Sequence, residues 1–231
     1  MKNDLTPHLD IALRHAPPGL TITRIPRVDI CVGQGNTDKA PCLYRSMVCF
    51  ILQGSKHVAI NDNRLSYDSE QYLISALDLP LIGQIVDAED GRPYVAVSLV
   101  LDPAILAELA STMPFVRERE QNGIGIMINP MTASLRDTLL RLLALLDTPD
   151  DIPVLGPMLE RELLYRLLQG PQGQLQLPTS HRSVMRFKWH ESSKPASPFP
   201  VANRPQPYPV SETAKIAGGS PAFACWRASS G

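Results

Sequence analysis

Five histidines, four cysteines and scattered carboxylates are the side chains of this sequence best able to do chemistry, and their spacing decides which chemistry is open. A metal site at the mouth of a small β-structure needs two imidazoles and a carboxylate within reach of each other. The strand-like part of the chain offers His57 and neither an HxH nor an HxxxH pair. Asp62, Asp68 and Glu70 fall in stretches that read as turns, where short carboxylates cap backbone groups. Cys31, Cys42, Cys49 and Cys225 make no CxxC and no zinc-like spacing with histidine, which suits small apolar thiols in a reducing compartment. There is no GxSxG elbow, and no cysteine has a histidine placed to activate it. CVGQGNTDKA, from Cys31, holds Gly33 and Gly35 but lacks the third glycine and following helix of a phosphate loop. No catalytic residue, metal or cofactor is therefore expected. An apolar ligand pocket between strands is compatible with the sequence, which does not say which residues line it.

A second kind of chemistry sits near the end of the chain, in VSETAKIAGGSPAFACWRASSG, Val210 to Gly231. Ala214 is small enough for two helices to cross closely, Gly218 permits a left-handed turn, and Ser220 can cap a following helix. The stretch thus begins like the first half of a DNA-reading motif and then stops. The net charge of −1 gives no chain-wide basic field, so DNA contact has to come from a local patch. Arg182, Arg186, Lys188, Lys194, Arg204, Lys215 and Arg227 are enough for weak, salt-sensitive phosphate contact but not for a sequence-reading surface.

The elements that would carry these residues follow from hydrophobic period. Between Leu20 and Leu101, LTITRI, MVCFILQG, KHVAI, QYLISAL, LIGQIV and YVAVSLVL each read as a short strand. The gaps are too short for helical crossovers, so the strands must be antiparallel, in a barrel or sandwich. Asn61-Asp62-Asn63 and Tyr67-Asp68-Ser69 mark two corners. After Leu101 the period becomes helical. Asp102 and Pro103 start a short helix, with Ile105, Leu106 and Leu109 on one face. Leu135, Leu139, Leu142, Leu143 and Leu146 stripe a second helix, and Leu155, Leu159, Leu163 and Leu167 a third that stops at Gly170. These two are expected to form an antiparallel pair, whose stripes either fill the core or meet a twin copy. Six prolines between Pro195 and Pro209 make residues 174–209 irregular. The first twenty residues lack a secretory apolar run, and no stretch reaches a membrane span, so a soluble cytoplasmic protein is expected.

In order along the chain stand Pro41-x-Leu43-Tyr44, Gln53-Gly54-x-Lys56, Tyr67-Asp68-x-x-x-Tyr72-Leu73, Leu79-Pro80 and the helix LGPMLERELLYRLLQG from Leu155. Together they resemble the N-terminal domain of a branch of AraC-type bacterial transcription regulators, over about residues 5–173. The resemblance implies a mostly β protein with α: a cupin-like antiparallel β-barrel backed by a helical pair, without metal, used for effector binding and dimerisation. The expected domains are thus 1–173 for effector binding and dimerisation, 174–209 as an irregular Pro-rich tail, and 210–231 as a partial helix-turn-helix. Partners implied are DNA, an unidentified small-molecule effector, and a second copy or a full-length relative in a homodimer or mixed dimer, with no membrane.

In the family's helix-turn-helix pattern, Ala214, Ala217, Gly218, Ser220 and Pro221 fall on matching positions. The resemblance assigns Ala214, Ala217 and Gly218 to the scaffold of that motif, and Ser220, Pro221, Ala222, Phe223 and Arg227 to DNA contact. Thr213 replaces an apolar anchor, Phe223 comes one residue early, and Cys225-Trp226-Arg227 replaces a more basic run. The sequence then leaves no room for a second unit. The expectation is a regulator whose DNA-binding domain is truncated and whose sequence-specific DNA binding is weak or lost; the alternative is a small-molecule-binding or catalytic cupin unrelated to DNA.

Overall fold

The structure, a computed structural model, describes residues 4–60, 63–86, 92–113 and 125–170. Ten strands form two antiparallel sheets. They are β1 Gly19–Ile22, β2 Val28–Gly33, β3 Ala40–Tyr44, β4 Met47–Gln53, β5 Ser55–Ile60, β6 Asn63–Tyr67, β7 Gln71–Ser75, β8 Leu79–Val86, β9 Tyr94–Val100 and β10 Ile126–Pro130. The larger sheet runs β1-β2-β9-β4-β7-β10 and the smaller β3-β8-β5-β6. The antiparallel architecture expected from the short gaps is present, with every strand pairing antiparallel.

The burial patterns explain why some strands read as unbroken apolar runs. Alternate side chains of a strand point to opposite faces. VDICVG of β2 is buried throughout, and MVCFILQ of β4 and YVAVSLV of β9 are buried except for their last residue, which is half-buried. Each of the three therefore has something on both faces. On one face Val48, Phe50, Val95, Val97 and Leu99 join a core shared with the helices. On the other, Met47, Cys49, Ile51, Tyr94 and Ala96 join a second core filled from the smaller sheet. β3 instead alternates, with Cys42 and Tyr44 buried and Pro41 and Leu43 exposed, because the outer face of its sheet is bare.

Helices cover the first face. α1 spans Thr6–His15, α2 Pro103–Thr112, α3 Ala133–Ala144 and α4 Ile152–Gln169, with a 3-10 turn at Pro149–Asp151 between the last two. Asp102 caps α2 as its sequence suggests, its carboxylate accepting from the Ala104 and Ile105 amides. Leu135, Leu139, Leu142, Leu143, Leu163, Leu164 and Leu167 are all buried in the first core, so most of the leucine stripes serve this domain itself. Leu155 departs from that pattern: it lies on the outer side of α4, exposed together with Val154 and Met158. α1 and β10 were not apparent in the sequence. α1 has only His8, Ile11 and Ala12 buried, too few to mark a period.

One ion pair ties the β1–β2 connection to α4. Arg27, in the β1–β2 connection, donates to buried Glu160, with Nε at 2.8 Å from Oε1 and a second bond from Nη2 to Oε2. Its backbone φ of 66° is the left-handed value among the described non-glycine residues, and its carbonyl accepts from Val100 at the end of β9.

Leu139 sits in the leucine interior at 1% exposure. Leu139→Ala is expected to destabilise the fold by about 2–5 kcal/mol through lost contacts and a residual cavity, read from the midpoint of urea unfolding.

Candidate functional site

The space between the two sheets is the part of this domain where polar groups gather inside an apolar shell. Strand alternation puts Lys56 on the same inward face of β5 as Val58 and Ile60. Lys56 is 4% exposed. Its Nζ lies 5.1 Å from the centre of the Tyr44 ring, within cation–π range. Tyr44 Oη and Tyr67 Oη, from β3 and β6, stand 3.3 Å apart, either one able to donate. Cys31 and Cys49 bring free thiols from β2 and β4.

β9 supplies two further hydroxyls. Tyr94, Ala96 and Ser98 follow each other along its inward face, with Tyr94 and Ser98 at opposite ends of a strip about 13 Å long. Tyr94 Oη and Ser98 Oγ are buried without a hydrogen-bond partner among the described residues. Buried hydroxyls normally have partners, and an unmet one costs of the order of 1–3 kcal/mol. Ser98 pairs in register with Asp29 of β2 on one side and with Cys49 of β4 on the other. Gly33 pairs with Tyr94, and a Cβ there would meet Ile85 Cδ1 at 3.0 Å, so glycine lets the backbone approach this packing.

Electrostatics decide what these groups can do. Burial pushes the Cys31 thiol up to about 11 and raises Cys49 as well. Burial likewise raises the Tyr44 phenol and lifts Tyr67 and Tyr94 well above the ordinary tyrosine value. For Lys56, burial works against the charge, but Tyr44 and Cys49 outweigh it, and its pKa stands above the usual lysine value. At neutral pH the phenols and thiols are therefore protonated, hydrogen-bond donors rather than nucleophiles, and they share the interior with Lys56 and with the buried carboxyl of Asp29, which lies on the same inward face of β2 as Cys31.

The residues singled out in the sequence lie elsewhere. His57 is exposed on the outer face of the smaller sheet. Asp68 bonds the Glu70 amide at 2.9 Å, the turn role expected of it. Among the described residues no group of three histidines, cysteines or carboxylates could hold a metal ion, and no helix is long and apolar enough to cross a membrane. Ala214, Ala217, Gly218, Ser220, Pro221, Ala222, Phe223 and Arg227 lie outside the described residues, as do the segments 174–209 and 210–231. Sequence reasoning missed the interior cluster. Its signal was a lysine in phase with two inward aliphatics, Lys56-x-Val58-x-Ile60, which breaks the polar-outward rule.

Residues 24–175 match the family described as AraC-type transcriptional regulator N-terminus. No curated protein matches the chain. Among solved structures, an apo point variant of ToxT from Vibrio cholerae strain SCE256 is similar with a TM-score of 0.46 and 6% identity, over 66% of this chain and 56% of that one. ToxT of the same strain with an unsaturated fatty acid bound gives 0.42 and 8%, over 58% and 51%. The AraC-like transcriptional activator CuxR gives 0.39 and 11%, over 63% and 53%. The chain thus spans little more than half the length of these relatives.

The raised phenols predict a pH profile. Because folding favours their neutral form, stability is undiminished below the unfolded tyrosine value of about 10 and falls as pH rises past it. In a spectrophotometric titration Tyr44, Tyr67 and Tyr94 are expected to ionise only as the chain unfolds, and Tyr94→Phe to shift the alkaline unfolding midpoint upward.

Proposed function

The chain belongs to the family of AraC-type transcriptional regulators, whose N-terminal domain it carries over residues 24–175, and we propose that this domain senses a small organic acid between its two sheets. What supports the reading is the buried Lys56 ammonium with the hydroxyls of Tyr94 and Ser98, which have no hydrogen-bond partner among the described residues, on the same interior. A carboxylate is the group that a desolvated cation and nearby hydroxyl donors recognise together. Neutral thiols and aliphatic side chains would hold the apolar body.

The DNA side of the proposal rests on Val210 to Arg227. Ser220, Pro221, Ala222, Phe223 and Arg227 would face DNA, on a scaffold held by Ala214, Ala217 and Gly218. Thr213 in place of an apolar anchor and the early Phe223 make this reading surface weak. The protein would act in the cytoplasm, without catalysis, and associate with a second copy or a relative.

Calorimetric titration of the full chain with octanoate or benzoate tests the ligand. Lys56→Met is expected to weaken binding about tenfold or more, which is about 1.4 kcal/mol, and Tyr94→Phe to weaken it less. Failure of both acids to bind, or equal binding by Lys56→Met, would count against a carboxylate. For DNA, fluorescence anisotropy with the gene's own upstream region should show weak binding that falls steeply with salt and ignores sequence. Sequence-dependent binding lost in Arg227→Ala would show instead that the motif reads bases.

A further inference from the structure

Among the described residues, two apolar faces of this domain have nothing packed on them. The first is the outside of the smaller sheet, where Pro41 and Leu43 of β3 meet Pro80 and Ile82 of β8, at 41% exposure for Leu43 and 48% for Ile82. Cross-strand pairing continues the row from Ile82 to Ala59 and then to exposed Arg64. His57 and Ser66 pair beside it, and the outward positions of these four strands carry no carboxylate. The second face is the start of α4, where Val154 and Met158 are each 64% exposed and Leu155 lies beside them. Exposed Asp150 and Asp151 immediately precede it, and no lysine or arginine occurs from Asp147 to Met158.

The two faces differ in charge and match in character. One is an apolar strip edged by an arginine and a histidine; the other is an apolar helix face edged by two aspartates. Each is the kind of contiguous patch that marks an interaction site. They also look in opposite directions: the helices lie on one face of the larger sheet, and the smaller sheet lies across the other. A copy that offers its α4 to a neighbour's sheet therefore leaves its own sheet open to a third. We infer that these faces are the two halves of one head-to-tail contact between copies of this chain, joining α4 of one to the outer sheet of the next. A contact of this type does not close on itself and extends with concentration. This rests on the self-association in the preceding reading and not on its ligand.

Sedimentation velocity of the full chain across a concentration series tests it, with Ile82→Lys and Met158→Lys as variants. Both positions are exposed, and circular dichroism checks that each variant stays folded. The wild type is expected to grow beyond a dimer, and each variant alone to associate at least about tenfold more weakly, since a buried unpaired lysine opposes the contact. An equimolar mixture of the two should form a dimer and stop there, because only one intact pair of faces remains. Three results would overturn the inference. A wild type that stays monomeric also removes the self-association it rests on. Loss of association in Met158→Lys alone, with Ile82→Lys unaffected and no rescue on mixing, means that helix pairs with helix. Undiminished association of both variants places the contact elsewhere.

Discussion

β9 is the strand on which the rest of this domain depends. It lies between β2 and β4 at the middle of the larger sheet, and each of its faces is committed to a different core. Val95, Val97 and Leu99 hold the helices, while Tyr94, Ala96 and Ser98 look into the space between the sheets. A strand buried on both sides has no polar face to give to water, so any hydroxyl on it must find its partner inside. Tyr94 and Ser98 find none among the described residues. The constraint that makes β9 central is thus also what makes its inner face a place where a ligand's oxygen atoms would be welcome.

The helical layer is joined to this strand at one end. Arg27 accepts an uncommon backbone conformation, caps Val100 with its carbonyl and grips Glu160 with its side chain. A buried carboxylate without such a partner would be costly, so removing Arg27 should hurt more than the pair itself contributes. Asp102, the cap of α2, lies 3.6 Å from the same guanidinium, so that α2, α4 and the end of β9 meet at one residue.

The interior chemistry favours recognition over reaction. Burial keeps the thiols and phenols protonated, in an interior that also holds Lys56 and the buried carboxyl of Asp29. Such an interior offers fixed hydrogen-bond donors in a low-dielectric surrounding, where each hydrogen bond is stronger than in water.

By itself the sequence determined the elements with strong local period. Leu135 to Leu146 and the capped Asp102-Pro103 start are legible because helical spacing and capping act within a few residues. The antiparallel architecture is legible because short gaps leave no alternative, and the family because its motifs fall in order from Pro41 to Gly170. What tertiary structure decided is which side of each strand faces what. MVCFILQ and YVAVSLV carry no alternation, so nothing local says that Phe50 faces helices while Cys49 faces Lys56. α1 and β10 depend on surfaces supplied by distant residues, α1 on α3 and β10 on β7. The ammonium of Lys56 belongs to the interior only because the smaller sheet folds across the larger. Side-chain facing is a long-range property, set by register and layer order, and a one-dimensional pattern holds it only when one face is wet.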